Sequence, residues 1–166
     1  INILRIFMTT KYGKTTIRKA ANKDRIDVVY YLLSHFLRIE EYDFYYCSDL
    51  HAIAIPFSIK TIENNAFSYC IGLQQIIIPS SVTSIGDMAF ESCSSLKQIA
   101  IPSSVTSIGC KAFTKCYMLT QITIPSSITK INEYTFTLCF SLVEILIPHS
   151  VTLIGNYAFD ECSSLT

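Results

Sequence analysis

The stretch Pro79–Ile101 reads PSSVTSIGDMAFESCSSLKQIAI, and Pro102–Ile124, PSSVTSIGCKAFTKCYMLTQITI, follows it directly. Laid over each other, the two segments place Val82 on Val105, Ile85 on Ile108, Gly86 on Gly109 and Ala89-Phe90 on Ala112-Phe113. Cys93, Leu96, Ile99 and Ile101 fall on Cys116, Leu119, Ile122 and Ile124. The beat extends well beyond this pair. Six cysteines (Cys47, Cys70, Cys93, Cys116, Cys139, Cys162) stand 23 residues apart, each three residues after a phenylalanine, and five prolines keep the same period. A fixed period of this length marks a solenoid, in which each repeat is one coil stacked on its neighbours.

Within one coil two hydrophobic periods alternate. Ala89, Phe90, Cys93 and Leu96 share one face of a short helical turn, whereas Ile99 and Ile101 alternate with Gln98 and Ala100 as in a half-buried strand. Proline closes each strand because it has no amide hydrogen for a continuing ladder. Gly86, Gly109 and Gly155 suit a turn with positive φ, and Asn132 tolerates one; Glu40 and Glu63 fill that place in the first coils. Asn64, Asp87 and Asn156 follow as N-caps of the helical turn, with Glu133 a weaker substitute and Cys110 the odd occupant. Counting back from the prolines, Phe36, Ile39, Phe44, Cys47, Leu50, Ile53 and Ile55 complete an earlier coil. Residues 33–166 therefore make five full coils, Leu33 to Ile147, and a truncated sixth. The phenylalanines are expected to stack on one another inside.

Half of the 166 residues are hydrophobic and 16% are charged, so the chain buries a core and is not disordered. Thirteen basic and 13 acidic residues cancel, and a cut after Asp49 leaves +2 and −2. That asymmetry is too slight to attract nucleic acid or anionic lipid. Apolar runs such as Val28–Leu33 fall far short of the roughly 20 residues that span a bilayer, so no membrane insertion is expected in this segment. No secretory signal is recognisable, and the chain starts at Ile1 and stops at Thr166 in mid-repeat, as a fragment would.

The unit Ile-Pro-Ser-Ser-Val-Thr-Ser-Ile-Gly, followed by Ala-Phe and Cys, is similar to the BspA-like leucine-rich repeats, with Leu96–Pro102 resembling their strand segment. The resemblance covers Leu33 to Thr166. It implies an α/β, leucine-rich-repeat-like solenoid that binds proteins or host surfaces, as surface antigens and adhesins of bacteria and protists do, and no catalytic activity. Residues 1–32 differ. Thr15-Thr16-Ile17-Arg18, Ala20-Ala21, Asp27-Val28-Val29 and Leu32-Leu33 line up with one ankyrin repeat, although Thr16, Arg18 and Asp24 depart from its proline, histidine and glycine. Either this is the last unit of an ankyrin array or it is a helical cap on the solenoid. In both cases a helix pair is expected, packed through Ile17, Ala20, Ala21, Ile26, Val28, Val29 and Leu32.

The cysteines do not have the pairwise spacing of a zinc site, and ladder cysteines whose side chains point the same way disfavour bridging. They read as buried thiols acting as small hydrophobes, with Cys110 the accessible exception. His35, His51 and His149 occupy three different phases of the repeat. No serine has an evident histidine and carboxylate arrangement, and there is no phosphate-binding glycine loop. Neither a metal, a cofactor nor a catalytic residue is expected.

What remains is the outer side of the strands. Gln75, Gln98, Gln121 and Glu144 form one column; Ile77, Ala100, Thr123 and Leu146 form the next; Gln74, Lys97, Thr120 and Val143 form a third. This nearly neutral ribbon is the expected protein-binding face, with Gln75, Ile77, Lys97, Gln98, Thr120, Gln121, Thr123, Glu144 and Leu146 as its contact residues. The alternative is a glutamine ladder bonded along the stack amid ordinary surface residues. The expected role is protein recognition or adhesion at the cell surface or outside the cell. The alternative is a cytoplasmic scaffold combining ankyrin-like and leucine-rich repeats.

Overall fold

The computed structural model describes residues 11–166, with side chains from Thr16 onward; residues 1–10 of the expected helical segment lie outside the described residues. Two helices, α1 (Lys11–Ala21) and α2 (Ile26–Leu33), precede eleven short strands. The expected pair is there. Ile17, Ala21, Val29 and Leu33 are buried, and Ala20, Ile26 and Leu32 pack against the same core. Val28 is half-buried outside that cluster. Arg18 of α1 donates from its guanidinium to the Tyr42 carbonyl, tying the helix to the first coil. Leu33 ends α2, so the first coil begins directly off a helix.

The solenoid has three sides. On one run the short strands Arg38–Ile39 (β1), Thr61–Ile62 (β3), Ser84–Ile85 (β5), Ser107–Ile108 (β7), Lys130–Ile131 (β9) and Leu153–Ile154 (β11). On the second run Ala52–Ala54 (β2), Gln75–Ile77 (β4), Gln98–Ala100 (β6), Gln121–Thr123 (β8) and Glu144–Leu146 (β10). Every pairing is parallel and in the repeat register, such as Ile85 opposite Ile108 and Gln98 opposite Gln121. The first side was not foreseen as a strand, because two residues are too few to display an alternation.

The third side is a chain of tight turns, into which the expected short helical turn resolves. Cys93 donates its amide to the Phe90 carbonyl at 3.2 Å, closing one turn, and the pattern recurs at Cys70, Cys116 and Cys139. Alternate amides bond instead to the following coil: Phe67 to Ala89 at 2.8 Å, Phe90 to Ala112 at 2.9 Å and Phe113 to Thr135 at 2.9 Å. This second set is possible because two residues per coil are left-handed, such as Met88 (φ 54°) with Ser92 (φ 59°) and Lys111 (φ 57°) with Lys115 (φ 62°).

The expectation of positive φ at Gly86, Gly109 and Gly155 is therefore corrected. No glycine in the described chain has positive φ. They are glycines because the preceding coil passes too close for a side chain: a Cβ on Gly86 would lie 2.5 Å from Asn64 Oδ1 and 2.6 Å from the Asn64 amide nitrogen. The capping assignment changes with it. Asn64 and Asp87 do not cap a helix; each accepts the amide hydrogen of the next coil, Asp87 and Cys110 respectively, at 2.8 Å. Those bonds cross above the glycines, and coil contact and glycine are two parts of one joint.

Inside, Phe44, Phe67, Phe90, Phe113 and Phe136 are fully buried and stack as expected, with ring centroids 4.7–5.6 Å apart and planes within 9° through to Phe159. Beside them the thiols form their own ladder. Cys70 donates to the Phe44 carbonyl at 3.0 Å, Cys93 to Phe67 at 3.2 Å and Cys139 to Phe113 at 3.2 Å. Burial pushes the Cys47 thiol up to about 12 and raises those of Cys93, Cys116 and Cys139 as well. Cys110 is partly exposed, and so is Cys162 in the last coil.

Candidate functional site: the strand face

The second side carries the candidate site. Period-2 alternation turns Ile76, Ile99 and Ile122 inward and leaves their neighbours in solvent. Gln75, Ile77, Lys97, Gln98, Thr120, Gln121, Thr123, Glu144 and Leu146 are all exposed and lie on β4, β6, β8 and β10 or one residue before them. Ile77 is 57% exposed, unusually open for a large apolar side chain with a strand on either side. Thr120 is the most constrained of the set, since its hydroxyl donates to the Lys97 carbonyl at 3.1 Å.

The glutamine amides do not bond to one another along the stack, nor to any other group among the described residues. The alternative of a self-satisfied glutamine ladder is thus not what the geometry contains. A shallow groove of about 390 Å³ runs over this face, lined by Gln75, Ile77, Gln98, Ala100, Gln121 and Thr123. Ala100 makes the dip, because the residues above and below it in the column are larger. The groove also covers a break: β2–β4 and β6–β8–β10 are separate ladders, so β4 and β6 lie side by side without ladder hydrogen bonds. The opposite side is continuous across the same coils through β3, β5 and β7.

At its helix end the face meets α2. Ile26, Ala52, Ala54, Gln75 and Ile77 line an open, mostly apolar notch of about 200 Å³. Sequence reasoning missed this notch, since the 23-residue register gives no information about where α2 lies. It also missed a second aromatic surface on the turn side, where Tyr46 stacks on Tyr69 at 4.7 Å and Tyr45 meets Tyr42, Tyr46 and Tyr69 edge-on.

The histidines are as scattered as their phases imply. His35 contacts the Tyr31 carbonyl at 2.8 Å, and His51 lies 3.9 Å from Asp24. Among the described residues no group of three or more His, Cys, Asp or Glu side chains could hold a metal. No helix among them is long and apolar enough to cross a membrane.

Six copies of the BspA type leucine-rich repeat region match residues 37–166. The chain belongs to the BspA-type leucine-rich repeat family. Solved structures agree. A leucine-rich repeat protein from Bacteroides ovatus is 38% identical over 80% of this chain and 34% of its own, with a TM-score of 0.76. The leucine-rich repeat protein of T. pallidum is 26% identical over 78% of this chain and 72% of its own, with a TM-score of 0.63. A leucine rich cell surface protein from Faecalibacterium prausnitzii is 28% identical over 74% and 42%, with a TM-score of 0.54. The BspA-type chain thus spans about a third of the length of the Bacteroides protein. No curated protein matches its sequence. The family match begins after α2, and nothing in it extends to the ankyrin-like reading of residues 1–32.

Proposed function

We propose that this BspA-type chain is a non-catalytic recognition module that binds protein through its strand face, as part of an adhesin displayed outside the cell. The observation that carries the reading is the groove over β4, β6 and β8, where glutamine amides without internal partners border exposed Ile77 and Thr123. Repeat proteins use such extended faces for binding. A neutral face of this kind favours protein over nucleic acid, whose binding needs a dense row of lysine and arginine. The cell-surface description of the Faecalibacterium relative supports the location.

The helices form a cap, in our reading, with residues 1–32 as the capping segment and 33–166 as the solenoid. Arg18 bonding into the first coil and α2 running straight into it favour this over a separate ankyrin unit. A cytoplasmic scaffold is the second reading, favoured by a ladder of buried thiols held as hydrogen-bond donors, since thiols stay reduced in the cytosol.

The test is protease treatment of intact cells expressing the tagged full-length protein. Loss of the repeat region is the expected result. Protection until lysis would overturn the external location in favour of the scaffold.

A further inference from the structure

The notch beside α2 is unlike the rest of the strand face. In the first coil alone both outward positions are alanine, Ala52 and Ala54, where later coils have Gln75 and Ile77, Gln98 and Ala100, Gln121 and Thr123. Ile26, at the start of α2, stands over this gap, and the floor is almost wholly apolar. Its volume of about 200 Å³ has room for one leucine- or phenylalanine-sized side chain, since a cavity of about 150 Å³ accepts benzene. The notch shares Gln75 and Ile77 with the larger groove, so the two are continuous.

Charge narrows the occupant further. No residue lining either space carries a formal charge. A ligand charge laid there would lose hydration without a charged group in the lining, since Lys97 and Glu144 stand outside it. The unbonded amides of Gln75, Gln98 and Gln121 offer both donors and acceptors, the two kinds of group that a peptide backbone also presents. The rows from β2 to β8 cover about 15 Å at roughly 4.8 Å per strand, the reach of four or five extended residues.

Resting on the strand-face reading above, we propose that the notch is an anchor site for an extended, uncharged polypeptide segment, which seats one apolar side chain under Ile26 and lies along the glutamine row.

The test pans a phage library of random seven-residue peptides against the whole chain and measures the selected peptides on variants. Enriched peptides are expected to share one leucine, isoleucine, methionine or phenylalanine among uncharged neighbours. Ala54→Phe, which fills the notch, should weaken them at least about tenfold, as expected for an apolar side chain losing its burial. Ala52→Leu, a milder filler, gives the same readout should Ala54→Phe fold poorly by circular dichroism. Ile26→Ala, which opens the roof, should shift selection toward larger aromatic residues. Peptides that ignore both fillers but are lost on Gln98→Glu with Gln121→Lys would overturn the notch and leave the strand face standing. Peptides indifferent to all of these, or no enrichment over bare support, would overturn both.

Discussion

The inside and the outside of this solenoid are built from the same 23-residue register, yet they obey different rules. The phenylalanine column is six identical residues, and each described ring from Phe44 to Phe159 stacks on the next. The column of Ile77, Ala100, Thr123 and Leu146 has no residue in common, although Ala100, Thr123 and Leu146 are paired rung on rung. Inside, every rung is bounded by another rung and by a thiol bonded to the preceding coil, so a change at one level propagates. Outside, no side chain of the glutamine column is tied to its neighbour. A repeat register aligns residues; packing decides which of them are fixed.

The strongest way to break the inside is to charge it. Cys47, Cys93, Cys116 and Cys139 have thiols raised by burial, Cys47 to about 12. The unfolded thiol ionises near pH 8.5. Raised acids hold the fold fully below that value and lose their contribution as pH climbs toward the folded value. Each deeply buried thiol then withdraws about 1.4 kcal/mol per pH unit. Four together reach the ~5–15 kcal/mol stability of an ordinary domain within roughly two units. Circular dichroism between pH 8 and 11 should show alkaline unfolding, and the stability gap between wild type and Cys116→Ala should shrink over the same range. A native spectrum at pH 11 would refute the ladder's role.

Next in size is the ring column. Phe90→Ala removes a fully buried ring stacked on both sides and should cost about 3–5 kcal/mol in urea unfolding. Ile77→Ala on the outside should stay within about 0.5 kcal/mol. Comparable losses at the two positions would erase the distinction between the faces.

A subtler pair of substitutions sharpens the comparison within a single coil. Gly109→Ala would bring a Cβ to 2.5 Å from the Gly86 carbonyl carbon, against backbone that cannot move aside, and should cost about 1–3 kcal/mol. Two residues on, Lys111 is left-handed at φ 57°, so Lys111→Gly should gain up to about 1 kcal/mol, less its weak contact with the Tyr134 ring. If the left-handed φ fell on the glycine instead, Gly109→Ala would still cost stability, but Lys111→Gly would turn destabilising as well.

That pair also shows what the sequence could and could not convey. The period, the buried columns and the stacking of Phe90 on Phe113 were legible, because a side chain's face follows from its place in the repeat. Gly86 was misread because a glycine for positive φ and a glycine for close approach look alike in one dimension. The turns were read as helical because Ala89, Phe90, Cys93 and Leu96 fall on a helical face whether the backbone coils or zigzags between left- and right-handed residues. Of the binding face, the columns were legible and the notch was not, since Ile26 reaches Ala52 and Ala54 through tertiary packing. A cut after Asp49 also blurred the charge pattern: seven of the 13 basic residues precede Ile26, with Asp24 the sole acid among them.

The smallest expected change in stability is the most informative about function. Ile77→Lys, Gln98→Glu and Gln121→Lys together place three charges on the strand face, with Gln98 directly opposite Gln121 in the ladder. The signs are chosen so that the paired rung is attractive, because like charges directly opposite destabilise a sheet. Each side chain is exposed and none makes a hydrogen bond or ion pair with the rest of the protein, so the urea midpoint should move little. A partner lying on this face, in contrast, would have to strip water from three charges, and affinity for any peptide or protein that binds here should fall at least tenfold. A triple variant that binds as tightly as wild type would move recognition to another side, and the tyrosines around Tyr46 and Tyr69 would be the next surface to charge. A variant that unfolds would mean that the outer columns stabilise the stack after all. The contrast between a fixed interior and a free exterior would then fail at its simplest point.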